Sequence, residues 1–484
     1  MSAQNHSHAS GKHLNKTIAG GLLMAVAFTA LAHGAVEPWS VFVFETIVLV
    51  LVLLWAAKAI ADRSLKITIP ETALPVIALL AFGLLQSFGF ADKSGRLSSL
   101  SMNVGATRAT VTVLVFLLVS FVIASNFFSS RTYLKALANF LVIFGLVMAI
   151  FALIQNFAWD GRFYWIRPTE SPSPFGPFAN HNHFAGYMEM LIPVPVGLMI
   201  ARAARAEMKW LYGFAATMMG IAIVVSLSRG GMIGLAAAMS FILLMSARLR
   251  LSNKRGSLLG TTSTFVGQRR RPKIASQAVI VAAIVAVILA GIFWIGAEPV
   301  INRVAQGQAP SAQQQTESFF SSRGWVWRDT LTMIRANPFF GVGLGAYGTA
   351  FPVYTQSDGS LRVPQAHNDY LQIVADCGIA GGLIGLWFIV LMFRAVLRSL
   401  KSRDPWLAGL ALGSGAGIFA MLVHSVFDFN LQLPANALLF LILTAVVSHA
   451  SATVSDEEKT SALISSHGLE TEKASTVGLV RGAS

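Results

Sequence analysis

The chain has 484 residues, of which 55% are hydrophobic and only 12% are charged. This composition excludes an ordinary water-soluble globular protein and indicates a membrane protein. The formal charge of +14 could suggest a nucleic-acid partner, but Lys and Arg collect in the cytoplasmic loops of membrane proteins. We therefore interpret the charge as topology and expect no nucleic acid. The single cysteine, Cys377, excludes an internal disulfide.

Apolar segments recur along most of the chain, and each has about the 20 residues that a helix needs to cross a bilayer. The weak alternation of apolar and polar residues that marks a transmembrane barrel strand is absent. We predict an all-α, polytopic membrane protein with about twelve transmembrane helices. The predicted spans are residues 18–36, 41–60, 72–90, 109–126, 136–157, 184–201, 210–227, 230–247, 276–297, 378–397, 406–427 and 431–450.

One transmembrane domain, residues 17–450, is expected between a cytoplasmic tail of residues 1–16 and a second, disordered cytoplasmic tail of residues 451–484. The positive-inside rule places both tails in the cytoplasm. The first span could also be a signal peptide, whose removal would leave the later topology unchanged. The basic residues that set this orientation are Lys12, Lys16, Lys58, Arg63, Lys66, Arg202, Arg205, Lys209, Arg248, Arg250, Lys254, Arg255, Arg269–Lys273, Arg398, Lys401 and Arg403, whereas Lys93, Arg96 and Arg108 fall on the predicted outer face.

The longest polar segment, residues 298–366, is predicted to be a large, partly helical periplasmic loop, because it is too long for a simple turn. Ser321 and Ser322 can cap a helix, and Pro338 follows where that helix should end. Between them lies an apolar stripe at helical spacing, formed by Trp327, Leu331 and Ile334.

Three segments on the predicted outer face carry candidate site residues. Arg229 lies in the break between the seventh and eighth spans, Arg323 in the loop helix, and His367 where the loop re-enters the membrane. A planar guanidinium binds phosphate oxygens bidentately and keeps its proton, which suits a diphosphate. A histidine can accept the proton of an attacking hydroxyl. Together these residue types indicate glycosyl transfer from a diphosphate-linked donor.

Ordinary explanations exist for each of these residues. An arginine in an outer loop is often solvated or paired with an acid, for which Asp329 and Glu317 are available, and a histidine at a helix start is often a cap. The sequence leaves the roles of four further charged residues open: Glu189, Arg328, Arg335 and Asp428.

The spacing of several motifs resembles the O-antigen ligase and polymerase superfamily. The resemblance extends over about residues 176–382 and rests on four elements: Gly176–Ala185 before the sixth span; Ser228-Arg229-Gly230-Gly231; Arg323 and Trp327 followed by Asn337–Gly343; and His367-Asn368, nine residues, Gly378, two residues, Gly381-Gly382. Asp376 departs from the family pattern, which often has glutamate there, but the charge is kept.

The resemblance implies a metal-independent, inverting glycosyltransferase without a cofactor, which acts on the periplasmic face of the bacterial inner membrane. The donor would be a glycan on undecaprenyl diphosphate, with Arg229 and Arg323 binding the diphosphate and His367 as the catalytic residue. Asn368 is assigned with the arginines to substrate binding. A ligase would use a lipid A-core sugar as acceptor, and a polymerase a growing lipid-linked glycan. The motifs favour the ligase and leave the polymerase open.

A secondary transporter is the alternative from a different class, because it also has about twelve spans. The two halves of the sequence show no internal repeat and no matched pair of broken helices, which mark many transporter folds.

Overall fold

The computed structural model describes residues 2–91, 97–169, 174–201, 206–258, 282, 319–356 and 363–481. Helices make up most of them and confirm the predicted all-α class. They are α1 (Ser2–Leu31), α2 (Pro38–Ala61), α3 (Leu74–Ser87), α4 (Val104–Phe127), α5 (Arg131–Phe157), α6 (His181–Leu191), α7 (Pro193–Ile200), α8 (Ala206–Ser226), α9 (Arg229–Leu258), α10 (Phe319–Ala336), α11 (Tyr347–Ala350), α12 (Asp369–Ser399), α13 (Pro405–His424) and α14 (Pro434–Arg481).

Short strands and turns complete the described connections. β1 (Gly89–Ala91) pairs antiparallel with β2 (Leu97–Ser99), and β3 (Arg162–Phe163) pairs antiparallel with β4 (Arg167–Pro168). Three 3-10 helices cover Glu71–Ala73, Phe351–Val353 and Asn430–Gln432.

Ten helical segments within the described ranges are long and apolar enough to cross a membrane, as expected for a polytopic protein. The predicted third span corresponds to a shorter apolar helix, Glu71–Ser87. The predicted ninth span, residues 276–297, lies outside the described residues except for residue 282, and so do residues 298–318 of the predicted outer loop. α14 continues from its membrane segment to Arg481, where the sequence predicts a disordered tail; the cytoplasmic position of this tail stays a prediction.

The centre of the bundle is a close crossing of α13 with α6 and α7. Glycines of α13 face the backbone of the other two helices: a Cβ on Gly413 would lie 2.4 Å from the carbonyl oxygen of Pro193, and one on Gly417 would lie 2.5 Å from that of Met190. On the other side, a Cβ on Gly197 would lie 2.5 Å from the carbonyl oxygen of Gly409. Small residues allow such contact, which favours helix association in a membrane.

Because the helices are so close at this crossing, adding one methyl group there should strongly affect stability. Gly413→Ala should lower the free energy of unfolding by about 1–3 kcal/mol, because the backbone oxygen of Pro193 cannot move without separating the helices. Gly385→Ala on α12 is the matched control, since its Cβ would meet nothing within 4 Å. Thermal unfolding in one detergent measures both. Equal stability of the two variants would contradict the close crossing.

Candidate active site

The candidate site is built where the segment after α10, residues 337–345, meets a kink in α12. Gly378 adopts φ 62° and ψ −160° inside α12, which interrupts the regular helix. The carbonyls of Ala375 and Asp376 accept hydrogen bonds from the N–H groups of Val342 (3.0 Å) and Gly343 (2.9 Å) instead of from their own helix. At the kink, α12 therefore binds the backbone of the glycine-rich turn, residues 341–345.

Two glycines make this contact possible. Gly341 and Gly378 both have positive φ, and a Cβ on Gly341 would lie 2.4 Å from the backbone carbon of Asp376. A Cβ on Gly378 would lie 2.4 Å from the backbone carbon of Phe339. Both glycines belong to the sequence motifs, and their role is structural: they allow the backbone of the segment after α10 to pack directly against α12.

Buried polar side chains reinforce the contact. Asp376 accepts hydrogen bonds from the backbone N–H of Gly345 (3.1 Å) and from the side chain of Gln372 (3.2 Å). The Gln86 amide donates to the carbonyls of Phe340 (2.7 Å) and Asp376 (2.9 Å). The carboxylate that departs from the family pattern thus holds the turn, and it is not near a free surface.

His367 lies at the corner where the chain re-enters the bundle. Its backbone has φ 51°, an uncommon conformation for a residue other than glycine. The next residue, Asn368, caps α12 by accepting hydrogen bonds from the N–H groups of Tyr370 and Leu371, and its amide donates to the carbonyl of Val426 (2.9 Å). Asn368 therefore fixes the corner; its assignment to substrate binding stays a prediction.

A buried carboxylate, Asp428, joins this corner to α10. His367 Nδ1 lies 3.3 Å from Asp428 Oδ1, and Arg323 Nη2 lies 3.5 Å from Asp428 Oδ2. The side chain of Asp428 is 1% exposed, whereas that of His367 is 31% exposed. The N–H of Phe429 also donates to Oδ1, at 2.9 Å. The structure thus brings two of the predicted residues, Arg323 and His367, to one acid.

The pKa of the Asp428 carboxyl lies well below its ordinary value. Burial alone would raise this pKa, but the hydrogen bond from His367 and the neighbouring His183 and Arg323 together lower it. An ionised Asp428 favours the His367 tautomer that carries its proton on Nδ1. The other ring nitrogen, Nε2, is then able to accept a proton.

A second histidine lies behind the first. His183, on α6, is 8% exposed and packs edge-on against the Phe429 ring at a centroid distance of 4.9 Å. His367 packs edge-on against the same ring at 5.0 Å. The segment that precedes the predicted sixth span therefore reaches the site through Phe429.

Arg229 begins α9 and is exposed. It lies at the same end of the bundle as Asp428: a Cβ on the next residue, Gly230, would lie 2.4 Å from Nε2 of His424. His424 in turn precedes the turn to Asp428, whose N–H donates to the His424 carbonyl at 3.1 Å.

The charged residues whose roles the sequence leaves open have distinct places. Glu189 is fully buried and contacts His424 Nδ1 at 3.1 Å, so it is not a hydrated residue at a helix end. Arg328 pairs with Asp329 at 3.1 Å, as the ordinary explanation for a loop arginine expects, and Arg335 is exposed in the last turn of α10.

The comparison with known families agrees with this arrangement. The O-antigen ligase family model matches residues 214–386, a range that includes Arg229, Arg323 and His367 but not Asp428. No curated protein matches the chain. The fold is that of a multi-pass membrane protein, in which Arg323 and His367 meet at one end of the described helices. Over residues 214–386 the chain is similar to the O-antigen ligase family.

Proposed function

We propose that this protein is a ligase that transfers a glycan from undecaprenyl diphosphate to a lipid A-core sugar on the periplasmic face of the bacterial inner membrane. The observation that carries the proposal is the shared carboxylate of Asp428, which holds a candidate base, His367, beside a candidate phosphate ligand, Arg323. Both termini would then lie in the cytoplasm, with the glycine-rich turn and α10 covering the site from outside.

The reaction would be a single displacement. The acceptor oxygen forms a bond to the anomeric carbon of the donor while the bond from that carbon to the diphosphate oxygen breaks. The hydroxyl proton passes to Nε2 of His367, and the bonding electrons leave with undecaprenyl diphosphate. Attack from the face opposite the leaving group inverts the anomeric centre.

The arginines would act on the leaving group. A guanidinium at Arg323, 16% exposed, can turn from Asp428 toward a diphosphate that enters the site. Arg229 lies at the same end and is accessible. Charge stabilisation of a departing diphosphate is the type of electrostatic contribution that lowers a transition state most.

Metal independence is part of the proposal. Across the ranges that the structure describes, no three His, Cys, Asp or Glu side chains are grouped as metal ligands. The arginines would supply the positive charge that a divalent cation supplies to a diphosphate in other enzymes.

The test is transfer by the purified full-length protein, with a polyprenyl-diphosphate glycan as donor. We expect transfer to lipid A-core, at the same rate in EDTA and in added Mg²⁺ or Mn²⁺. Activity that is lost in EDTA and restored by either metal would refute the metal-independent mechanism. Elongation of a second lipid-linked glycan in place of transfer to lipid A-core would identify a polymerase. Movement of intact donor across vesicles without transfer would identify a transporter.

A further inference from the structure

A polar cavity lies at the other end of the bundle from His367. It has a volume of about 530 Å³ and lies between the end of α12, the middle of α14 and the 3-10 turn Glu71–Ala73. Arg394, in its wall, is 25 residues beyond Asp369, the first residue of α12. Even with the kink at Gly378, the segment Asp369–Ser399 is long enough to cross a bilayer, and Arg394 lies in its last two turns. The cavity is therefore level with the headgroups of the opposite leaflet.

Three charged side chains in the wall have no partner among the described residues. Arg394 and Arg398 are one helical turn apart and project from the same face of α12, and Glu71 faces the same cavity. None of the three forms an ion pair or hydrogen bond through its side chain to any described part of the chain. Among the other charges of the wall, Asp456 and Lys459 contact each other at 4.0 Å, and Glu458 lies 3.8 Å from Lys401.

Arginines at the end of a membrane helix commonly contact headgroups without selectivity. This cavity differs in shape and composition, because the two guanidiniums share a concave site with three carboxylates and several hydroxyls, and Glu71 is the carboxylate without a partner among the described residues. Its volume is within the range of about 300–1,000 Å³ that small-molecule sites occupy. The hydroxyls of its wall belong to Thr72, Ser448, Ser451 and Ser455.

We propose that this cavity binds the headgroup of a phospholipid that carries both a phosphate and a primary ammonium, as phosphatidylethanolamine does. The guanidiniums of Arg394 and Arg398 match the phosphate oxygens. Glu71 accepts hydrogen bonds from the ammonium. A purely anionic headgroup would place no cation beside Glu71, and a quaternary ammonium has no N–H to donate.

The experiment is native mass spectrometry of the purified full-length protein in micelles that contain phosphatidylethanolamine, phosphatidylglycerol and phosphatidylcholine. We expect the protein to retain phosphatidylethanolamine over the other two lipids. The double variant Arg394→Ala/Arg398→Ala should lower this retention about tenfold or more, because hydrogen bonds to charged groups contribute that much to binding. Lys66→Ala/Arg403→Ala is the matched control, since it also removes two exposed cations but neither lines the cavity.

The variant Glu71→Gln tests the contact with the ammonium separately from the contacts with the phosphate. This variant should keep binding phospholipid but lose the preference for phosphatidylethanolamine over phosphatidylglycerol. Equal retention of the three lipids by the unmodified protein would overturn the proposal, and so would an equal loss in the control variant. If inorganic phosphate alone raises the melting temperature and no lipid is retained, the ligand is a soluble phosphate and the lipid assignment is wrong.

Discussion

Replacing His367 with asparagine should lower the rate of glycan transfer by about 10²- to 10⁴-fold, the range that general-base catalysis contributes. Asparagine is the informative choice because it tolerates the positive φ of this corner. Its amide can still donate to Asp428, but it cannot accept a proton in place of Nε2. His367→Ala should lose the same activity, since it removes the same base.

Binding of the lipid diphosphate should survive in His367→Asn, because Arg323 and Arg229 remain. Transfer to the acceptor and binding of the donor must therefore be measured on the same folded preparation. His449→Asn is the matched control. His449 lies on α14, in the half of its membrane segment that is farther from Pro434, and the variant should transfer normally. Near-normal transfer by His367→Asn would remove this residue from the mechanism, and a loss of donor binding would make it a donor ligand.

The helical framework could be predicted from hydropathy because each span carries its own signal. Ten segments were found where the sequence placed them, and the third is short because α3 itself has only 14 residues. Local order along the outer segment was harder to predict. Leu331, assigned to the apolar stripe of α10, is 41% exposed, whereas Thr330 is buried and bonds the Tyr347 hydroxyl at 2.7 Å. A pattern of apolar residues cannot predict the burial of a polar residue such as Thr330, whose hydroxyl is hydrogen-bonded inside the protein.

The site was predictable only where its residues lie in motifs. The His367-Asn368 motif indicated the corner where the chain re-enters the bundle, and Arg323 was predicted from its place in the loop helix, whereas the kink at Gly378 was not predicted. Asp428 was noted from the sequence as a charged residue of open role, but its pairing with His367 has no local signal, because it depends on the packing of α12 against the turn after α13. The contact of Glu189 with His424 is equally long-range. Pairs of this kind depend on the tertiary structure, so their existence could not be deduced from spacing.

Asp428 is the residue whose removal should most resemble the loss of His367. Asp428→Asn keeps the size and one acceptor oxygen but removes the charge that favours the Nδ1–H tautomer. We expect transfer to fall by about 10²- to 10⁴-fold, since the imidazole loses both its orientation and the anion that stabilises its protonated form. Donor affinity should change less, because Arg323 keeps its own charge.

A comparison of single and double variants can show through which residue Asp428 acts. If Asp428 acts through the histidine, the variant that combines Asp428→Asn with His367→Asn should be no slower than His367→Asn alone, since groups that act as one unit give non-additive losses. Asp404→Asn is the matched control, because this acid pairs with Arg131 at the other end of the bundle, 2.6 Å away and partly exposed. Such an exposed pair contributes about 0–1 kcal/mol, so transfer should be unchanged. A multiplicative loss in the double variant would instead mean that Asp428 acts independently of His367, through Arg323 or through the fold of the corner.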